Sequence, residues 1–169
     1  MKKIIMLMAI MAVTLTAHGQ QVFKEIYDSS FKTASDKNED VTIRKIAAFK
    51  VDALTYLNTK IFELVTDESE VVQHQGAELT SRRDSLAYFM YDYVNYFLVQ
   101  YQRAEKPKNK EYVIKLFQQV SLNHPLFRDH NREAVFVYVD REDYLTRFSL
   151  DTDWVAANRE VRRLLRELQ

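Results

Sequence analysis

Within the stretch NHPLFRDHNRE, residues 123–133, lie His124, Asp129, His130 and Glu133. Imidazole and carboxylate side chains are the material of zinc sites and of base–orienter pairs, so this cluster is the candidate centre for hydrolytic or metal-assisted chemistry. Its spacing matches neither HExxH on a helix nor the paired ligands of structural zinc sites. The sequence therefore assigns no metal and no cofactor. The same residues also read as a polar connection, with His124 ahead of Pro125 and Asp129 or Asn131 closing a turn.

A second candidate is aromatic. The stretch YFMYDYVNYFLVQY, residues 88–101, holds five tyrosines. Projected at about 100° per residue, Leu86, Phe89, Met90, Tyr93, Val94, Phe97, Leu98 and Tyr101 cover one broad side of a helix, the pattern of a central core element. Tyr88, Tyr91 and Tyr96 fall off that stripe. They are the candidates for a groove that takes a sugar or a peptide, because tyrosine offers a flat apolar face with a polar tip.

Other chemistries lack their parts. Two glycines in the whole chain, one of them Gly19, leave no material for a GxSxG nucleophile elbow or a phosphate-cradling loop. Without cysteine there is no thiol nucleophile, thiolate metal site, disulfide framework or lipid-attachment cysteine. The acidic run TDESE, 66–70, lacks the alternating oxygen ligands and the glycine of a calcium loop. Arg159, Arg162, Arg163 and Arg166 resemble a phosphate stripe, but Glu160 and Glu167 stand at pairing distance along the helix and make it an ordinary solvated face.

The first residues read as a secretory signal: Lys2 and Lys3, an apolar run over 4–15, then small and polar residues. The run is short of the roughly 20 residues that span a bilayer. Cleavage is expected between Gly19 and Gln20, giving a protein exported to a bacterial periplasm or the medium, not a lipoprotein. Residues 20–169 form one expected domain. Losing Lys2 and Lys3 turns 24 basic against 24 acidic residues into a net charge of about minus two, which gives no electrostatic footprint for nucleic acid. No second apolar span follows, so no membrane span is expected after cleavage.

Few glycines and prolines argue for long helices. Apolar steps of three and four predict helices over 22–31, over 40–65 with Lys50 inside the apolar stripe and its ammonium reaching water, from about Arg82 to Arg103 behind a Ser81/Asp84 capping pair, and over 111–122. The stretch EVVQHQGAEL reads as a short helical or irregular piece. A last helix follows a cap at Thr152 or Asp153, with Trp154, Ala157, Val161, Leu164, Leu165 and Leu168 on one stripe. Between them, Val135, Val137 and Val139 alternate with Phe136 and Tyr138, and Tyr144, Thr146, Phe148 and Leu150 alternate again after DRED. That alternation predicts a β-hairpin. The expected fold is mainly α, an irregular bundle of four or five helices with a carboxy-terminal hairpin and a final docked helix, or an α+β domain if the hairpin joins a larger sheet.

With no catalytic motif, the sequence favours a non-enzymatic binding module for a protein, peptide or glycan partner, with homodimerisation through the hairpin edge as one mode. The alternative is a hydrolase or metal-dependent enzyme built on the segment from His124 to Glu133.

Overall fold

The computed structural model describes residues 21–63 and 71–167, with side chains of the second stretch from Gly76 onward. Among these are six helices: α1 (Val22–Ser35), α2 (Val41–Glu63), α3 (Val71–Arg103), α4 (Pro107–Asn123), the single turn α5 (Arg132–Val135) and α6 (Trp154–Glu167). The helical periodicity of the sequence thus becomes the architecture, and α3 is its axis, packed by α1, α2, α4 and α6.

Local chemistry sets the helix ends. Asp40 begins α2 by accepting from the Thr42 amide at 2.8 Å. Pro107 occupies the first turn of α4, where its missing N–H costs nothing. Asp153, the second of the two expected caps, accepts from the amides of Val155 at 3.1 Å and Ala156 at 3.0 Å to start α6.

Three predicted boundaries move. α1 continues to Ser35, α4 starts at Pro107 and not at 111, and α3 starts at Val71, with Ser81 and Asp84 in its interior. Asp84 is buried and its Oδ1 accepts from the Arg83 guanidinium at 2.9 Å, so the carboxylate does not serve a helix start. Gly76 is carried through the helix at a cost of about 1 kcal/mol relative to alanine, too little to break it. The TDESE run lies outside the described residues, as do Leu64, Val65 and Leu168.

The core is aromatic. Phe49 from α2, Tyr93 and Phe97 from α3, Phe117 from α4 and Trp154 from α6 are fully buried, with rings meeting edge-on or tilted at centroid distances of 5.2 to 6.3 Å. The Tyr93 hydroxyl donates to the carbonyl of Phe117 at 2.7 Å, so its polar tip is satisfied inside the core.

The predicted hairpin is absent. Residues 136–153 form turns and extended pieces, and the described residues contain no strand, only an isolated antiparallel bridge between Pro125 and Thr152. Neither the α+β alternative nor a hairpin edge for dimerisation survives.

The reason is where the backbone finds its partners. Val139 N–H donates to Phe136 at 2.9 Å, Arg141 to Tyr138 at 3.2 Å and Tyr144 to Arg141 at 3.0 Å, so successive tight turns replace a ladder. The two predicted strands share a backbone bond from Leu150 N–H to the Val135 carbonyl at 2.9 Å. Val135 and Tyr138 are buried while Val137 is 46% exposed, a three-residue step and not an alternation.

Side chains then fix the segment onto the bundle. Ser121 Oγ of α4 accepts from the Ser149 amide at 2.9 Å and bonds Thr152 Oγ1 at 2.8 Å, all of it buried. Tyr138 donates to Asp52 of α2, and Lys45 of α2 meets the Asp143 carboxylate at 2.8 Å. β-branched and aromatic residues fit any half-buried surface, and here helices supply it.

Candidate functional site

The connection between α4 and α5, residues 124–131, carries three of the four residues of the histidine cluster, and a buried carboxylate from far along the chain shapes it. Asp151 accepts from the Phe127 amide through Oδ1 at 2.7 Å and from the Asp129 amide through Oδ2 at 2.9 Å. Its own carbonyl takes the Leu126 amide at 3.3 Å, and the His124 carbonyl takes the Asp153 amide at 2.7 Å. Leu126 and Phe127 pack against a small cluster of Leu57, Ile61 and Leu86. The loop is therefore held by backbone groups over most of its length, as a preorganised site requires.

Beside it opens a cleft of about 360 Å³. Leu122, Pro125, Val135 and Phe136 give it apolar surface; Arg128, Asp129, His130, Arg132, Ser149 and Asp151 supply polar groups. Of the four predicted residues, Asp129 and His130 line this cleft, and His124 and Glu133 do not.

The cluster diverges along the chain. Asp129 turns to α2, pairing with Lys60 Nζ at 2.9 Å and accepting from the Tyr56 hydroxyl at 3.1 Å, while its Oδ1 accepts from the Asn131 amide at 2.9 Å. His124, half-buried at the end of α4, stands near Glu160 of α6 and adds to the lowering of that carboxyl, of which Arg163 is the main cause. Glu133 is exposed on α5. Among the described residues no group of three or more histidine and acidic side chains could hold a metal ion.

The electrostatics of Asp129 follow from its partners. The hydrogen bond from Lys60, then that from the Asn131 amide, hold its carboxyl down at about 2. Lys60 is correspondingly raised, and Tyr56 is pushed up by burial and by the carboxylates of Asp151 and Asp129. A general base works best with a pKa near the working pH, and Asp129 lies far below it.

Arg128 and Arg132 border the same cleft. Arg128 adopts φ 54°, the only left-handed non-glycine residue in the described chain. The Arg132 guanidinium lies over the Phe136 ring at 5.1 Å. Arg128 and His130 are exposed, and neither side chain has an ion-pair or hydrogen-bond partner among the described residues.

The sequence pattern points to histidines and carboxylates here and singles out neither arginine, although both stand in the same FRDHNRE string. Asp151 carried no usable signal, because its bonds run back more than twenty residues.

The three tyrosines have separate neighbours. Tyr88 is 43% exposed, its ring against Phe89 at 5.5 Å. Tyr91 lies under Lys50 of α2, with the ammonium 4.6 Å from the ring centre. Tyr96 faces the other way, against Phe117 of α4 at 5.9 Å and under the Arg162 guanidinium of α6 at 4.1 Å. None of them lines the cleft. On α6, Arg163 pairs with Glu160 and Glu167 within the helix, while Arg162 reaches Asp92 of α3 at 2.9 Å.

No family model, curated protein or solved structure matches the chain. No helix among the described residues is long and apolar enough to cross a membrane.

Proposed function

We propose that the chain is an exported, non-enzymatic binding module of a bacterial periplasm or secreted fraction, and that the cleft beside Asp129 and His130 is its ligand site. The observation that carries this reading is how the two acidic groups of the cleft are spent. Asp129 is committed to Lys60, Tyr56 and the Asn131 amide, and Asp151 to two further amides. Both are acceptors already in use, which leaves them poorly suited to bind a metal or to take a proton from water. A preformed concave site with apolar lining and a few convergent polar groups is the usual form of a small-ligand pocket.

Export rests on the layout of residues 1–19, which lie outside the described chain. The amino terminus of the protein recovered from a bacterial periplasm or culture medium is expected to start at Gln20, and recovery of uncleaved protein in the cytoplasm overturns that part.

For the site, amide chemical-shift mapping with mixed small acids, amides, sugars and short peptides is expected to move resonances of residues 122–136 and 149–151. Stoichiometric zinc binding accompanied by ester turnover supports the hydrolase alternative instead, and ligand shifts confined to the surroundings of Tyr88 transfer the site to the tyrosine helix.

A further inference from the structure

Taking the cleft as a ligand site, we infer that it selects a carboxylate joined to one compact apolar group. Size sets the first limit. At about 360 Å³ the cleft is near the lower end for small-molecule sites, room for a short chain or a single side chain.

Charge sets the second. The Asp129 carboxylate is answered by Lys60 and that of Asp151 by two amides, while Arg128 and His130 have no such partner and Arg132 is engaged only through the face of its guanidinium. A guanidinium stacked on Phe136 keeps its N–H edge for an incoming acceptor, and the planar fork matches a carboxylate in two-point geometry. Phe136, which carries that cation, lines the cleft together with Val135 and Leu122, so one ligand can satisfy charge and apolar surface together.

Arg128 supplies the third argument. An L-residue at φ 54° is strained where glycine is not, and the loop keeps arginine there. Strain retained at the edge of a cleft, with an unpaired guanidinium on it, fits a contact to ligand better than a contact to the fold.

Such a carboxylate has two sources, a free short-chain acid or the carboxy-terminal residue of a peptide. Calorimetric titration of the mature protein with hexanoate, N-acetyl-leucine, their amides and inorganic phosphate separates them. One of the two acids is expected to bind at least about tenfold more tightly than its amide and than phosphate, and the better acid names the source. Arg128→Gly and Arg132→Gln are each expected to weaken the acid about tenfold, by loss of a charge-assisted hydrogen bond, while leaving the amide unchanged.

Arg128→Gly removes strain, so its melting temperature is expected to equal or exceed that of the parent; should it fail to fold, Arg132→Gln carries the test alone. Equal binding of acid and amide in the cleft overturns the carboxylate inference and leaves the binding reading standing. Phosphate binding as tight as the acid overturns it by showing that apolar surface is not read. Absence of any binding by acid or amide overturns the carboxylate inference, and the binding reading falls with it only if the sugars and peptides of the shift mapping also leave the cleft unmoved.

Discussion

Phe148→Ala is expected to remove about 3–5 kcal/mol of stability, the range for emptying a buried phenylalanine site. Phe148 belongs to no helix, yet it is fully buried and meets Phe49 at 5.6 Å, Tyr93 at 5.4 Å and Phe97 at 5.2 Å. Its ring joins α2 to α3 from outside both. Truncation leaves a hole among rings held on stiff helices, which collapse poorly around it, so transfer and cavity costs add.

Against a total stability of about 5–15 kcal/mol for a domain, this is enough to leave a large unfolded fraction at moderate denaturant. Urea unfolding followed by Trp154, the single tryptophan, which is buried beside Phe49 and Tyr93, reports it directly. The midpoint should fall with the slope unchanged. Val137→Ala is the counterpart, expected to stay within about 0.5 kcal/mol because that side chain is exposed, at 46%. A hairpin with alternating faces would have buried Val137 and Phe148 on one side; a loss of several kcal/mol in the Val137 variant as well would therefore show that the segment does not pack as described.

That contrast marks where single-sequence reading works. On α2 the apolar stripe places Ile43, Ile46, Ala47, Leu54, Leu57 and Ile61 inside, and all but the half-buried Ile43 are buried; on α6 Trp154, Ala157 and Val161 are buried, with Leu164 and Leu165 of the same stripe only partly so. A helix imposes a 3.6-residue period whatever it packs against, so the side facing the core is written locally. Tyr112, on the α4 stripe with Val113, Leu116, Phe117 and Val120, departs furthest, half exposed.

Residues 135–150 have no such period. Their conformation depends on Ser121, Asp52 and Lys45 receiving them, partners fixed only once the helices have assembled. The cleft is illegible for the same reason. His130 and Asp129 are in plain view, but the groups that decide what Asp129 can do, Lys60 and Tyr56, lie some seventy positions earlier, and Asp151 lies more than twenty later.

Lys50 is the second position where assembly overrides the local pattern, and the largest pH effect is expected there. The sequence reading lets its ammonium reach water; instead the residue is 4% exposed, with Nζ 3.4 Å from Asn95 Oδ1 and 4.6 Å above the Tyr91 ring. Burial lowers its pKa to about 7. The sign follows from proton counting. Between about pH 7 and 10.5 the unfolded chain holds a proton that the folded one releases, so stability rises with pH across that window. Below about pH 7 both states are charged and the folded state bears the full burial cost. Above 10.5 both are neutral and the cost is gone.

Lys50→Met keeps an unbranched chain of similar volume and removes the charge. It should gain about 2–4 kcal/mol at pH 6, allowing for the lost cation–π contact and the weakened bond to Asn95. The gain should shrink steadily toward zero by about pH 10.5. Guanidinium unfolding of both proteins at pH 6, 8 and 10.5 measures the three points. A Met variant less stable at pH 6, or a difference that ignores pH, would mean that the polar contacts of Lys50 outweigh the cost of burying its charge.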